Sequence, residues 1–154
     1  MAEAGERPTR REERVLRGTV AEIRPTIAWV LGQLPPCDAP MLDVGLTEAL
    51  TNAVAHGVNG LDGSERDADY RGWLDRLAEA PGRDAGLRVT LTLEASALEV
   101  RLRWKGTPYA PPSLMPAGPE AVRGRGSTLI ASAFEEVEVA GDGLGLRLRT
   151  PVGQ

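Results

Sequence analysis

The sequence predicts an α+β fold, a two-layer sandwich of helices on one face of a mixed, mostly antiparallel sheet. Two observations carry this. Apolar residues recur at threes and fours in the first third of the chain and again over 124–134, which marks amphipathic helices. Two pairs of alternating segments, within 87–104 and 136–150, are each joined by a short turn, which marks hairpins. At 154 residues the chain is the size of one domain. Its 42% hydrophobic and 26% charged content is ordinary for a globular protein, and with only 4% aromatic residues the core must be built from Leu, Val, Ile and Ala.

The elements follow in order. Residues 1–12 are polar and contain Pro8, so they form a flexible arm before a domain at 13–150. A short strand is expected at Glu13–Arg17. From Val20 to Leu34 the apolar positions Val20, Ile23, Ile27, Val30, Leu31 and Leu34 describe a helix, with Pro25 in its first turn or kinking it. Pro35, Pro36 and Pro40 stop this helix, and a second begins near Asp43. The segment 58–86 reads as an insertion packed over the end of that helix. It carries a helix at Asp67–Ala80 with Tyr70, Trp73, Leu74 and Leu77 on one side, either a partner surface or a cap on the core. Leu87–Leu93 and Leu98–Trp104 form a hairpin around Glu94–Ala97. Pro108, Pro111, Pro112, Pro116 and Pro119 make 107–123 an ordered but mobile loop. A helix at Gly124–Phe134 and strands at Glu136–Ala140 and Leu144–Thr150, turning at Gly141-Asp142-Gly143, complete the pattern.

A net charge of −4 argues against direct nucleic-acid binding or docking on an acidic membrane, both of which need surplus Lys and Arg. No apolar run is long enough to span a bilayer, and no signal-peptide core is present. Cys37, the sole cysteine, excludes an intramolecular disulfide and fits a reducing cytoplasm, where the protein is expected.

The most informative segment is 46–57, LTEALTNAVAHG. On an α-helix Glu48, Asn52 and His56 fall on one stripe, opposite an apolar face of Leu42, Leu46, Ala49, Leu50 and Ala53. A carboxylate beside a carboxamide suits hydrated Mg²⁺ and phosphate, since the metal and an attacking hydroxyl both need fixed oxygen acceptors. A solvated polar face would give the same pattern. A second segment, Gly124-Arg125-Gly126-Ser127-Thr128-Leu129-Ile130, puts two glycines at the start of a helix, where open backbone N–H groups can close on phosphate oxygens. It matches neither a Walker A loop nor a dinucleotide fingerprint.

Taken together and in this order, Glu48-Ala-Leu-Thr-Asn52-Ala-Val-Ala-His56-Gly57 and the Gly124–Ile130 segment, with Glu135, Glu136 and Val137 after it, resemble the two signature boxes of a known family. This is the GHKL or Bergerat-fold ATPase domain of gyrase and histidine kinases, and the chain looks most like its small anti-sigma-factor serine kinase branch. The resemblance covers about Glu13 to Thr150, with 58–86 longer than the family's usual connection. It implies ATP and Mg²⁺ as cofactors and a serine of a protein substrate as acceptor. Glu48 would be the general base, Asn52 the Mg²⁺ ligand, and His56 a structural group or a phosphate-side donor. Gly106, Gly124, Arg125, Gly126, Ser127 and Thr128 would line the nucleotide. The implied partners are a sigma factor and a STAS-like anti-anti-sigma protein, and the resemblance suggests a homodimer.

One position departs. Where the family has an Asp-x-Gly box whose carboxylate anchors adenine, this chain has Trp104-Lys105-Gly106, and a Trp ring cannot accept that hydrogen bond. The expected function is an anti-sigma-factor-like regulator that is an ATP- and Mg²⁺-dependent serine kinase, holding adenine by another group or by stacking on Trp104; the alternative is a partner-binding module whose nucleotide site has decayed.

Overall fold

The computed structural model describes residues 9–34, 39–109 and 125–152. Cys37 and most of the expected loop at 107–123 lie outside them. Five strands form one sheet: β1 (Arg10–Leu16), β2 (Leu87–Leu93), β3 (Ala97–Trp104), β4 (Glu136–Val139) and β5 (Gly145–Pro151), in the order β1-β2-β3-β5-β4. Among the described residues all four pairings are antiparallel, where the sequence predicted a mixed, mostly antiparallel sheet. β1 starts at Arg10 and takes in Arg10–Glu12, which the polar composition had assigned to the arm.

The helical layer comprises α1 (Ile23–Leu31), α2 (Ala39–Asn52), α3 (Gly63–Ala68), α4 (Tyr70–Glu79) and α5 (Arg125–Ala133). The expected helix at 20–34 begins as a 3₁₀ turn, Val20–Glu22, and becomes α-helical only at Ile23. The Glu22 carboxylate causes this tight start by accepting from the N–H groups of Gly18 at 2.9 Å and Thr19 at 2.8 Å, a capping box closed by Thr19. Pro25 falls in the first turn of α1. Pro40, read from sequence as part of a stop, lies in the first turn of α2, where its missing N–H has no intrahelical partner to lose. The helix expected at 67–80 is two helices, because the Asp69 side chain accepts from Gly72 N at 3.0 Å and caps α4 afresh.

The core is aliphatic, as the composition requires. The predicted apolar face of α2 is all inside, with Leu46 fully buried and Leu42, Ala49, Leu50 and Ala53 at most 3% exposed. It packs on Val89, Leu91, Val100, Leu102 and Leu148 from alternate positions of the three central strands. Trp73 and Leu77 of α4 are buried in the same core, while Tyr70 and Leu74 are exposed, so the insertion is a cap with one uncovered flank. α5 crosses α2 at Gly45, where an added Cβ would overlap the Cβ of Ala133 and press on Phe134.

The other face of the sheet carries an ion-pair lattice. Arg147 donates to Glu99 at 2.9 Å and Glu138 at 3.1 Å, Arg149 pairs with Glu94 at 3.0 Å, and Arg88 pairs with Glu13 at 3.0 Å. The exposed pairs contribute little each, the Arg147–Glu99 pair is part-buried, and together they keep this face wet.

The Gly45 crossing is testable. Gly45→Ala gains about 1 kcal/mol of helix propensity but costs about 1–3 kcal/mol of overpacking against a neighbour that has no flexible end to move. Urea denaturation is expected to give a net loss of stability, and adding Ala133→Gly is expected to recover it.

Candidate functional site

The site is built where α2 ends. Beyond Asn52 the helix widens into a π-helical turn, Ala53–Val58, in which Asn59 N donates to Val54 O at 3.1 Å, five residues back. The extra residue per turn breaks the spacing that put Glu48, Asn52 and His56 on one stripe. The stripe is not a solvated face either. Asn52 is only 6% exposed, and Glu48 and His56 are half-buried.

His56 faces the insertion. Its Nδ1 lies 2.7 Å from the carbonyl oxygen of Leu61, which can only accept, so Nδ1 carries the proton and Nε2 the lone pair. The ring stacks on Tyr109 at 4.7 Å between centroids and tilts toward Trp73 at 6.2 Å. Gly63, at the start of α3, lies against its Cε1 edge. Burial pushes the imidazole pKa below its ordinary value, with the Arg66 charge adding to that effect, while the Leu61 bond and Asp62 oppose it.

Trp104 ends β3 and is 3% exposed. Its indole lies against the backbone of the π-helical turn at Gly57, where a Cβ would come within 2.8 Å of Cδ1 and Nε1. Nε1 donates to the carbonyl of Thr107 at 2.9 Å, and the N–H of Thr107 donates to Gly57 O at 2.8 Å. Gly106, between them, has φ of +147°, and a Cβ there would overlap Gly57 O, so this close approach requires glycine. Tyr109 is held by its own N–H donating to Gly143 O at 2.8 Å. Burial and the nearby Glu48 charge both raise its phenol pKa.

Asn52, Ala49, Ala53, Trp104, Tyr109, Ile130 and Leu146 line the pocket between α2, β3 and α5. Its free space is about 10 Å³, room for one water at most. Near it, Glu48 Oε2 is buried without a hydrogen-bond partner among the described residues, as is Trp73 Nε1. An unpartnered buried acceptor costs about 1–3 kcal/mol, so Glu48 is kept where packing alone would not put a carboxylate.

Of the sequence-predicted site residues, Asn52 lines the pocket, His56 reaches it only through its stack on Tyr109, Gly106 packs on Gly57 behind Trp104, and Glu48 acts on Tyr109 through its charge. Gly124 lies outside the described residues, and for Arg125, Gly126, Ser127 and Thr128 only their place in the first turn of α5 is described. Among the described residues no group of three or more His, Cys, Asp and Glu could hold a metal, and no helix is long and apolar enough to cross a membrane.

Sequence reasoning missed Asn59. Its Nδ2 donates to Gly18 O at 2.9 Å and Val54 O at 2.8 Å, while Oδ1 accepts from Gly82 N at 3.0 Å. It ties the exit of β1 and the end of the insertion to the π-helical turn. An Asn directly after the last helical residue, Val58, was the available signal.

Comparison with known proteins agrees with this architecture. The family model for the histidine kinase-like ATPase domain matches residues 16–150. The chain therefore belongs to the histidine kinase-like ATPase domain family. Among solved structures, the RsbU and RsbW domains of Rv1364c from Mycobacterium tuberculosis match with a TM-score of 0.55 and 14% identity, over 94% of this chain and 32% of that one. At that identity the likeness is one of fold, and this chain spans about a third of that protein's length. A search of curated proteins found no match.

His56 is the only histidine, which isolates its titration. The unfolded ring takes its proton near 6.5 and the folded ring only at lower pH, so just below 6.5 the unfolded state binds more protons. Its contribution is fully present above 6.5 and is lost as pH falls toward the folded pKa. Urea midpoints measured from about pH 7.5 down to about pH 5.5 are expected to fall in wild type, with a shallower fall in His56→Asn.

Proposed function

We propose that this domain is an anti-sigma-factor-type regulator that acts by holding a protein partner, without a nucleotide. The observation that carries this is Trp104, whose buried indole walls the pocket beside Asn52, where about 10 Å³ is free. A purine would enter that space only if Trp104 moved aside. By the family resemblance the partners are a sigma factor or a STAS-like anti-anti-sigma protein, in the cytoplasm, with the domain as a homodimer. The partner would meet the helical layer, where Met41, Val44 and Leu129 are exposed apolar residues.

A second reading is favoured by one atom. Glu48 Oε2, buried and unpartnered, is what a general base awaiting a serine hydroxyl would offer. In that reading the domain is an ATP- and Mg²⁺-dependent serine kinase. Asn52 would hold the metal, and Gly124, Arg125, Gly126, Ser127 and Thr128 would lie along the phosphates. Bound ATP would supply the phosphoryl group, and the protein's task would be positioning and charge neutralisation. The residue types at the phosphate end suit this group, whereas Trp104 at the purine end offers adenine no acceptor.

Calorimetry with ATP and Mg²⁺ on wild type, Asn52→Ala and Trp104→Asp separates the two, with melting curves to confirm folding. No saturable heat in wild type and a gain of affinity in Trp104→Asp are expected. Saturable wild-type binding that Asn52→Ala abolishes overturns the nucleotide-independent reading in favour of the kinase.

A further inference from the structure

We infer that the indole of Trp104, in the wall of the pocket, acts as a built-in planar ligand that holds residues 105–109 docked on the π-helical turn. The inference deepens the nucleotide-independent reading and rests on it. The two buried tryptophans make the contrast. Trp73, 1% exposed, leaves Nε1 without a partner among the described residues and meets its neighbours through its ring alone, with Arg66 over its face at 5.1 Å and His56 at 6.2 Å. Trp104 uses both its ring and its donor. The ring lies on bare backbone at Gly57, and Nε1 holds the Thr107 carbonyl at 2.9 Å.

Residues 105–109 then follow a fixed path. Lys105 N donates to Gly86 O at 2.9 Å, Thr107 N to Gly57 O at 2.8 Å, and Tyr109 N to Gly143 O at 2.8 Å. The Tyr109 ring comes to rest on His56. A segment that orders only when a ligand binds draws its ordering cost from the binding free energy. Here the ordering is done during folding by a side chain of the same domain. The surface around Tyr109 and His56 is therefore formed before any partner arrives, and no ligand switches it.

Hydrogen exchange of the Thr107 and Tyr109 amides in the full chain tests this, with wild type beside Trp104→Ala and Trp104→Phe. In Trp104→Ala both amides are expected to exchange at least about tenfold faster while the β2–β3 ladder keeps its protection. Millimolar indole, which can refill the vacated space, is expected to slow them again. Trp104→Phe keeps a ring and loses the donor, so Thr107 is expected to speed up alone, and this variant decides the matter if the alanine variant does not fold. Unchanged Thr107 protection in a folded variant overturns the inference. So does acceleration of all amides together, or acceleration that indole leaves untouched. Nucleotide binding by wild type is read separately by the calorimetry above and bears on the proposed function.

Discussion

The contact between the Trp104 indole and the backbone at Gly57 sets where the surrounding chain can go. With no Cβ at Gly57, a flat ring can lie directly on the helix, and the next residues must then turn away within one peptide of it. Gly106 makes that turn at φ of +147°, in a conformation that other residues rarely adopt. The same approach fixes the end of β3, because Trp104 N is bonded to Leu144 O at 3.0 Å while its side chain is held from the other side. Position, not strength of any single bond, is what this contact contributes.

Around it the insertion acts as a wall. Arg83 N donates to Arg17 O at 2.8 Å and Arg83 Nε to Val58 O at 3.2 Å, so the end of the insertion is pinned to the exit of β1 and to the π-helical turn. With Asn59 in the same network, three segments distant in sequence share one set of backbone acceptors. Trp73 and His56 fill the space between this wall and α2, which explains why a widened helical turn persists there. The turn's geometry is supported by side chains on both flanks and not by helix propensity alone.

Much of this was legible in the sequence. The hairpins at 87–104 and 136–150 follow from strict alternation, and the burial of Leu42, Leu46, Ala49, Leu50 and Ala53 follows from helical spacing, because one face of each element must meet the core. The boxes around Glu48–Gly57 and Gly124–Ile130 led to the family. What stayed hidden depends on contacts between distant residues. The π-helical turn has no local signature, and without it the orientation of His56 cannot be read. The split at Asp69 is a cap that competes with a continuous apolar pattern. The start of β1 at Arg10 depends on a partner strand more than 70 residues away, since Arg10 pairs with Leu93. Trp104 was recognised as an odd residue at its position, but its bond to Thr107 and its fit on Gly57 are tertiary facts.

The two outer strands carry a further consequence. An outer strand leaves a row of backbone groups free to recruit another chain, and this is where folded proteins begin to aggregate. Here β1 presents Arg10, Arg11, Glu12, Glu13 and Arg14 in succession, and β4 is only four residues long, with Glu136 and Glu138 on it. Extending the sheet sideways would strip water from these charges, so growth by strand addition is disfavoured at both ends. The domain can therefore be held at high concentration with little tendency to polymerise through its sheet.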